Sequence, residues 1–242
     1  MRGFIDLHCH WVVGIDDGAK TNDDAQSLLV GLRAMGFDTC VATPHMRPGM
    51  FDNTARELRG AYDRTVAALA TTGEAMPELA LSSEHFFDDI VFQRLVDGAA
   101  LPYPGGHAAL VEFGYQTFPT RIAHRFFDLR RKRLRPVLAH PERYEPVWRD
   151  PHVLDPLVDG GAVLLLDVAA LVGKYGRAPR RAAEALLEQG YYYAACSDAH
   201  GARDLDDVER GIERLFDDVG DEEATFLLTE GPRAILDGRV DT

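Results

Sequence analysis

Histidines and acidic residues recur in short, spaced groups along this chain: His8-x-His10, Asp16-Asp17, His45, Glu84, Glu112, His140 and Asp198-x-His200. Imidazole nitrogens and carboxylate oxygens are ligands for zinc, manganese, iron and related ions. Two histidines two apart on a strand point to the same side, so His8 and His10 can share one ion. Asp198 and His200 repeat that spacing. The Asp16-Asp17 pair lies in a glycine-flanked loop, where a carboxylate can bend toward its neighbours. A lone histidine is more often an ordinary packed residue, and His85, His107, His124 and His152 are read that way. The larger set resists that reading, because burying so many titratable groups without a cation costs several kcal/mol each.

The segments between these residues show how they can meet. Short apolar runs at residues 3–7, 39–42, 79–83, 108–111, 136–139, 162–166 and 191–196 read as strands. Helical stripes fall between them. Thr21 is a candidate N-cap before Ala25, Leu28, Leu29 and Leu32, with Asp23 and Asp24 favourable at the helix start. Leu58, Tyr62, Val66 and Leu69 mark a second helix. Further helices are expected near residues 121–133, 153–158, 180–188, 205–216 and 222–236. Residues 98–107, rich in glycine and proline, read as a loop. Strands alternating with helices imply a parallel sheet. About seven such units favour a closed barrel, and the chemically capable residues then fall on one rim, at the C-terminal ends of the strands.

Length and composition narrow the class. The 242 residues suit one α/β barrel domain over residues 1–242. A net charge of −13 argues against a non-specific partner such as nucleic acid or an anionic lipid surface. No apolar run is long enough to span a bilayer, and the first residues show no signal-peptide core, so neither membrane insertion nor export is expected. Cys9, Cys40 and Cys196 form no short-spaced pair, which fits a reducing cytoplasm. Cysteine-phosphatase chemistry needs C-x5-R. Cys40 precedes Arg47, and Cys196 precedes Arg203, with one intervening residue too many, so that chemistry is excluded. No phosphate-binding G-x-x-x-x-G-K-[ST] loop is present. Arg130-Arg131-Lys132-Arg133 with Arg135 reads as a solvated helix end, with an acidic partner as the alternative. Tyr191-Tyr192-Tyr193 reads as part of a packed strand.

Asp6-Leu7-His8-Cys9-His10, Asp16-Asp17-Gly18, Ala42-Thr43-Pro44-His45, Leu138-Ala139-His140-Pro141-Glu142-Arg143-Tyr144 and Ser197-Asp198-Ala199-His200, in this order, resemble the polymerase-and-histidinol-phosphatase (PHP) superfamily. Within it, the chain resembles the bacterial tyrosine-protein phosphatases of capsule and exopolysaccharide clusters. The resemblance implies a distorted (β/α)7 TIM-like barrel holding three divalent metal ions, usually manganese, with iron, zinc or magnesium as alternatives. It implies His8, His10, Asp17, His45, Glu84, Glu112, His140, Asp198 and His200 as metal ligands. Arg143 matches the family's substrate-binding arginine, and Arg203 is the nearest match to a second one.

The resemblance implies hydrolysis of phosphotyrosine by water activated on the ions, with a tyrosine autokinase of polysaccharide export as the protein substrate. Four carboxylates and three divalent ions would leave about two positive charges to receive a phosphate dianion, and Arg143 would add a bidentate clamp. Where a general acid acts, His45 or His200 is expected to supply it. A small-molecule phosphatase such as histidinol phosphatase, or a phosphodiesterase, is the enzymatic alternative. A regulatory subunit that keeps the site only for structure is the non-enzymatic one. A homo-oligomer is left open.

Overall fold

Side-chain caps start the first helices where the sequence places polar residues ahead of an apolar stripe. The computed structural model describes residues 2–240. Thr21 caps α1 (Asn22–Met35) in a reciprocal box with Asp24, and Gly36, in the left-handed region, ends it. Thr54 and Glu57 make the same box on α2 (Ala55–Leu69). Asp88 caps α3 (Asp89–Val96). The remaining helices are α4 (Ile122–Arg131), α5 (Glu145–Arg149), α6 (Asp155–Asp159), α7 (Arg177–Glu188), α8 (Leu205–Leu228) and α9 (Glu230–Leu236), with α8 broken at Gly220.

The strands are β1 (Phe4–Cys9), β2 (Phe37–Ala42), β3 (His45–Met46), β4 (Glu78–Leu81), β5 (Glu84–Phe86), β6 (Ala108–Glu112), β7 (Arg135–Ala139), β8 (Val163–Asp167) and β9 (Tyr192–Cys196). All of their pairings are parallel, as the strand–helix alternation requires. The ladders form two sheets, β1-β2-β4 and β3-β5-β6-β7-β8-β9. β3 continues the course of β2, and β5 that of β4, so the expected seven-strand order stands with two strands interrupted. The ends of that order meet through a bridge between Cys9 and Ala199, where His10 N–H donates to Ala199 O and Asp198 N–H to His8 O.

The interruptions depart from the single strand expected at residues 79–83, and they have local causes. Pro44 has no N–H to offer a ladder. Ser82 and Ser83 spend their hydroxyls on the Leu101 and Pro44 carbonyls. Strand pairing resumes at once with His45 beside Glu84, so the break re-aims both side chains. The sequence reading also missed α3, which buries Val91 and Leu95 and packs Phe92 and Val96 beside them.

Alternation along the strands divides the core. Ile5, Leu7, Val41, Leu110, Val137, Ala139, Leu165, Ala194 and Cys196 pack together between the strands, and the Tyr103 hydroxyl crosses this cluster to donate to Leu7 O. Phe4, Cys40, Val111, Leu138, Leu164, Leu166 and Ala195 point the other way, against the helices. This two-sided burial is the pattern of parallel strands covered by helices. The three cysteines are buried and free. Tyr192 is packed as expected, its hydroxyl donating to Glu142 Oε2. Arg135 departs from the solvated reading of its run: it opens β7 and is buried.

Gly211 lets α8 rest on the short 3-10 helix Val168–Val172. A Cβ there would sit 2.4 Å from the Val168 carbonyl oxygen. Gly211→Ala is therefore expected to lower stability by about 1–3 kcal/mol. Urea unfolding checks this, and an unchanged midpoint would show that the contact yields freely.

Candidate metal centre

The strand ends bring the chemically capable side chains to one place. His8 lies in β1 and His10 just beyond it. His45 opens β3, Glu84 opens β5 and Glu112 ends β6. His140 follows β7, while Asp198 and His200 follow β9. His140 and Asp198 both take positive φ, 35° and 44°. Non-glycine residues held there are uncommon, and such backbone clusters where side-chain placement matters more than local comfort.

The separations are those of atoms that could share an ion. His8 Nε2 is 3.1 Å from His10 Nε2, 3.1 Å from Asp198 Oδ1 and 3.4 Å from Glu84 Oε2. Two atoms each about 2.1 Å from one ion, at right or tetrahedral angles, lie about 3.0–3.4 Å apart. His45 Nδ1 is 2.9 Å from Glu84 Oε2 and 3.5 Å from Glu112 Oε1. His140 Nε2 is 3.0 Å from the other Glu84 oxygen. Asp17 Oδ1 stands 3.3 Å from His45 Nε2 and 3.5 Å from His200 Nε2. Four overlapping groups result: His10–Asp17–His45–His200, His8–His10–Asp198, His8–Glu84–His140 and His45–Glu84–Glu112.

Unpaired buried atoms test the fit of cations to these groups. Among the cluster-facing atoms, His45 Nδ1, Glu112 Oε1 and Asp198 Oδ1 are buried and make no aligned hydrogen bond. Buried polar atoms ordinarily find partners. The electrostatics point the same way. Burial opposes charge on Glu84, yet His8 and His45 and the hydrogen bond with His140 hold its carboxyl well below the usual range. Burial and then the Glu84 charge push Glu112 up. His8 faces the same burial penalty, but Asp198 and Glu84 raise it to about 9. Glu84, Asp17 and Glu112 raise His45 to about 12 against its burial. Without metal, the site draws in protons to balance its carboxylates, so the donor set suits divalent cations.

A second layer orients this one. Asp16 is buried and lies 2.8 Å from His10 Nδ1, and it also accepts the backbone N–H groups of Gly18 and His45. This leaves His10 Nε2 free to face the cluster. Gly18 packs on His10, where a Cβ would lie 2.0 Å from the His10 carbonyl oxygen. The sequence reading placed both acids near the rim, but it gave no task to Asp16.

Arg143 reaches the site from the turn after β7. It donates to Asp198 Oδ2 at 2.6 Å and to the Tyr115 hydroxyl at 2.6 Å, with its guanidinium against the rings of Tyr115 and Tyr175. Beside it opens a cleft of about 530 Å³ lined by Tyr115, Thr117, Glu145, Trp148 and Tyr175. Arg203 is placed otherwise: it is exposed in the 3-10 turn Ala202–Asp204, and no described hydrogen bond joins it to the cluster. Asp167, at the end of β8, was missed by the sequence reading although it obeys the same strand-end rule. It is buried near Arg143, and its Oδ1 accepts the Ala169 N–H. His85, read as a packed histidine, is one: it is buried with Nδ1 2.7 Å from Leu110 O.

Known proteins share this architecture. The tyrosine-protein phosphatase YwqE of Bacillus subtilis is 27% identical over 96% of this chain and 91% of its own. The tyrosine-protein phosphatase CpsB of Streptococcus pneumoniae is 23% identical over 96% and 98%. A chain from the crystal structures of YwqE and CpsB, described there as unique metal-dependent tyrosine phosphatases, superposes with TM-score 0.89 at 27% identity, covering 98% of this chain and 96% of that one. A phosphotriesterase homology protein from Escherichia coli shares the fold alone, at TM-score 0.53 and 14% identity. Residues 4–237 match the family model for capsular polysaccharide synthesis, CpsB/CapC, and the chain belongs to that family.

Proposed function

We propose that this protein is a metal-dependent protein-tyrosine phosphatase. The observation that carries the reading is Arg143, held between the carboxylate- and imidazole-rich cluster and an aromatic cleft. His8, His10, Asp17, His45, Glu84, Glu112, His140, Asp198 and His200 would hold three divalent ions, with manganese the first candidate. Such ions supply a nucleophile from water at neutral pH and neutralise the phosphoryl oxygens.

The chain's own residues then have defined tasks. Arg143, which lines the cleft, would grip phosphate, while Asp198 and the Tyr115 hydroxyl fix its guanidinium plane. Tyr115, Tyr175 and Trp148 offer ring faces to the tyrosyl side chain. The leaving phenolate, with a pKa near 10, needs little proton donation. His45 or His200 would provide what is needed only where it is not bound to an ion. The protein substrate is proposed to be a tyrosine autokinase of polysaccharide export, which the family's capsular role supports. No described helix is long and apolar enough to cross a membrane.

Elemental analysis of folded protein should find about three metals per chain, and added Mn²⁺ should speed phosphate release from a phosphotyrosine peptide. Faster turnover of histidinol phosphate than of that peptide would instead favour the small-molecule phosphatase. Arg143→Lys is expected to lower kcat/KM by about 100-fold with metal content unchanged, because a point charge replaces the fork. Asp16→Asn should weaken metal binding about 10–100-fold through misorientation of His10. Metal affinity should fall as pH drops below about 9, where protons hold His8 and His200 against the ion. Titration calorimetry in two buffers of different ionisation enthalpy reads the released protons, and equal heats would contradict that exchange.

A further inference from the structure

The basic run between α4 and β7 lies at the opposite end of the strands from the metal centre. β6 and β7 carry Glu112 and His140 at or just beyond their C-terminal ends, whereas Ala108 and Arg135 stand at their starts. A cavity of about 500 Å³ opens there, lined by His107, Arg130, Arg133, Arg135, Gly238 and Val240. Three arginines therefore line one hollow.

Their placement is built by the fold. Arg135 is buried, and it donates to Gly161 O and Val240 O at 2.8 and 2.9 Å. Arg130 is half-buried and runs against the same Gly161. Arg133 takes the left-handed backbone conformation, φ 61°, uncommon for arginine, in the turn that leads into β7.

Nothing among the described residues neutralises them. No described ion pair involves Arg130, Arg133 or Arg135, although the chain carries 39 acidic residues against 26 basic ones. Other arginines do find carboxylates: Arg125 pairs with Asp89, Arg180 with Glu184 and Arg214 with Asp218. The C-terminus of α4 contributes only about half a negative charge. Burial, and after it the nearby Arg130 charge, pulls Arg135 below the usual arginine value. Among the described residues the cluster has no carboxylate partner, and guanidinium groups left so attract anions.

We infer that this cavity is a second, non-catalytic binding site for a small molecule carrying a diphosphate group. Three arginines call for an anion of at least two charges, and guanidinium forks match phosphoryl oxygens. The cavity has the size of a small-molecule site. His107, on its edge, adds a ring to pack against. Because the site lies at the far end of the strands, its occupation leaves the metal centre open to substrate.

The test is titration calorimetry of the metal-loaded protein with adenosine diphosphate and, separately, inorganic pyrophosphate. Each is run on the wild type, on Arg143→Gln and on the double variant Arg130→Gln/Arg133→Gln. Arg135 is left intact, since it ties the chain to Gly161 and Val240. Beside any binding at the ions, one binding event should weaken about tenfold or more in the double variant and be left in place by Arg143→Gln. The double variant should keep wild-type turnover of a phosphotyrosine peptide, and its Tm should be unchanged or higher once the repulsion is relieved. Tighter binding of the nucleotide than of pyrophosphate would add a base or ribose contact, and equal binding would assign recognition to the diphosphate alone. The inference fails if neither probe binds outside the Arg143 site at millimolar concentration. It also fails if the double variant binds both as the wild type does, or if it loses stability, which would make the arginines structural.

Discussion

A carboxylate sealed from water is stable as an anion only when positive charge or hydrogen-bond donors surround it. Glu84 is 1% exposed. His8, His10 and His45 approach one of its oxygens and His140 the other. These four histidines arrive from β1, from just beyond it, from β3 and from the turn after β7. Satisfying Glu84 thus fixes how the strands end relative to one another. The broken strands, the positive φ of His140 and Asp198 and the close approach of Gly18 to His10 all serve that convergence. Each is locally unfavourable, and each is sustained by the core packed between the strands and under the helices.

The charge proposed to bind phosphate and the charge of the whole chain have opposite signs. The molecule is strongly acidic, yet the guanidinium of Arg143 stands beside the cluster with tyrosine rings on two sides. Aromatic faces shield that guanidinium from water while leaving it charged, which strengthens its pull on an incoming anion. In the proposed function, specificity for an aryl phosphate and affinity for phosphate itself would come from the same few side chains.

Much of this was legible in the residues alone, because parallel α/β folds put strand-end residues on one rim. His8, His10, His45, Glu84, Glu112, His140, Asp198 and His200 each follow, close or lie within a short apolar run, and the structure gathers all of them. The Asp16-Asp17 pair stood out by its loop, but the choice of Asp17 within it, and Arg143, came through the resemblance, since neither carries a periodic signal. What stayed hidden depends on tertiary geometry. Nothing local separates Asp16 from Asp17, and only the fold turns one toward His10 Nδ1 and the other toward His45 and His200. The division of β4 from β5 follows from serine hydroxyls finding carbonyls in other segments, which a window of sequence does not contain. Arg135 looked like part of a solvated helix end because its partners, Gly161 and Val240, are remote in the chain.

The seam between the two ends of the chain has a consequence in time. Asp6 accepts both the N–H and the hydroxyl of Ser197, a contact spanning 191 positions, and the Cys9–Ala199 bridge lies alongside it. Contacts of such separation carry a large loop-closure cost and form late. Asp198 and His200 therefore join His8 and His10 only after the last strand has been made and docked. Two of the four groups, His8–Glu84–His140 and His45–Glu84–Glu112, need nothing beyond His140, so it is the complete cluster, and not each of its parts, that waits for the end of the chain.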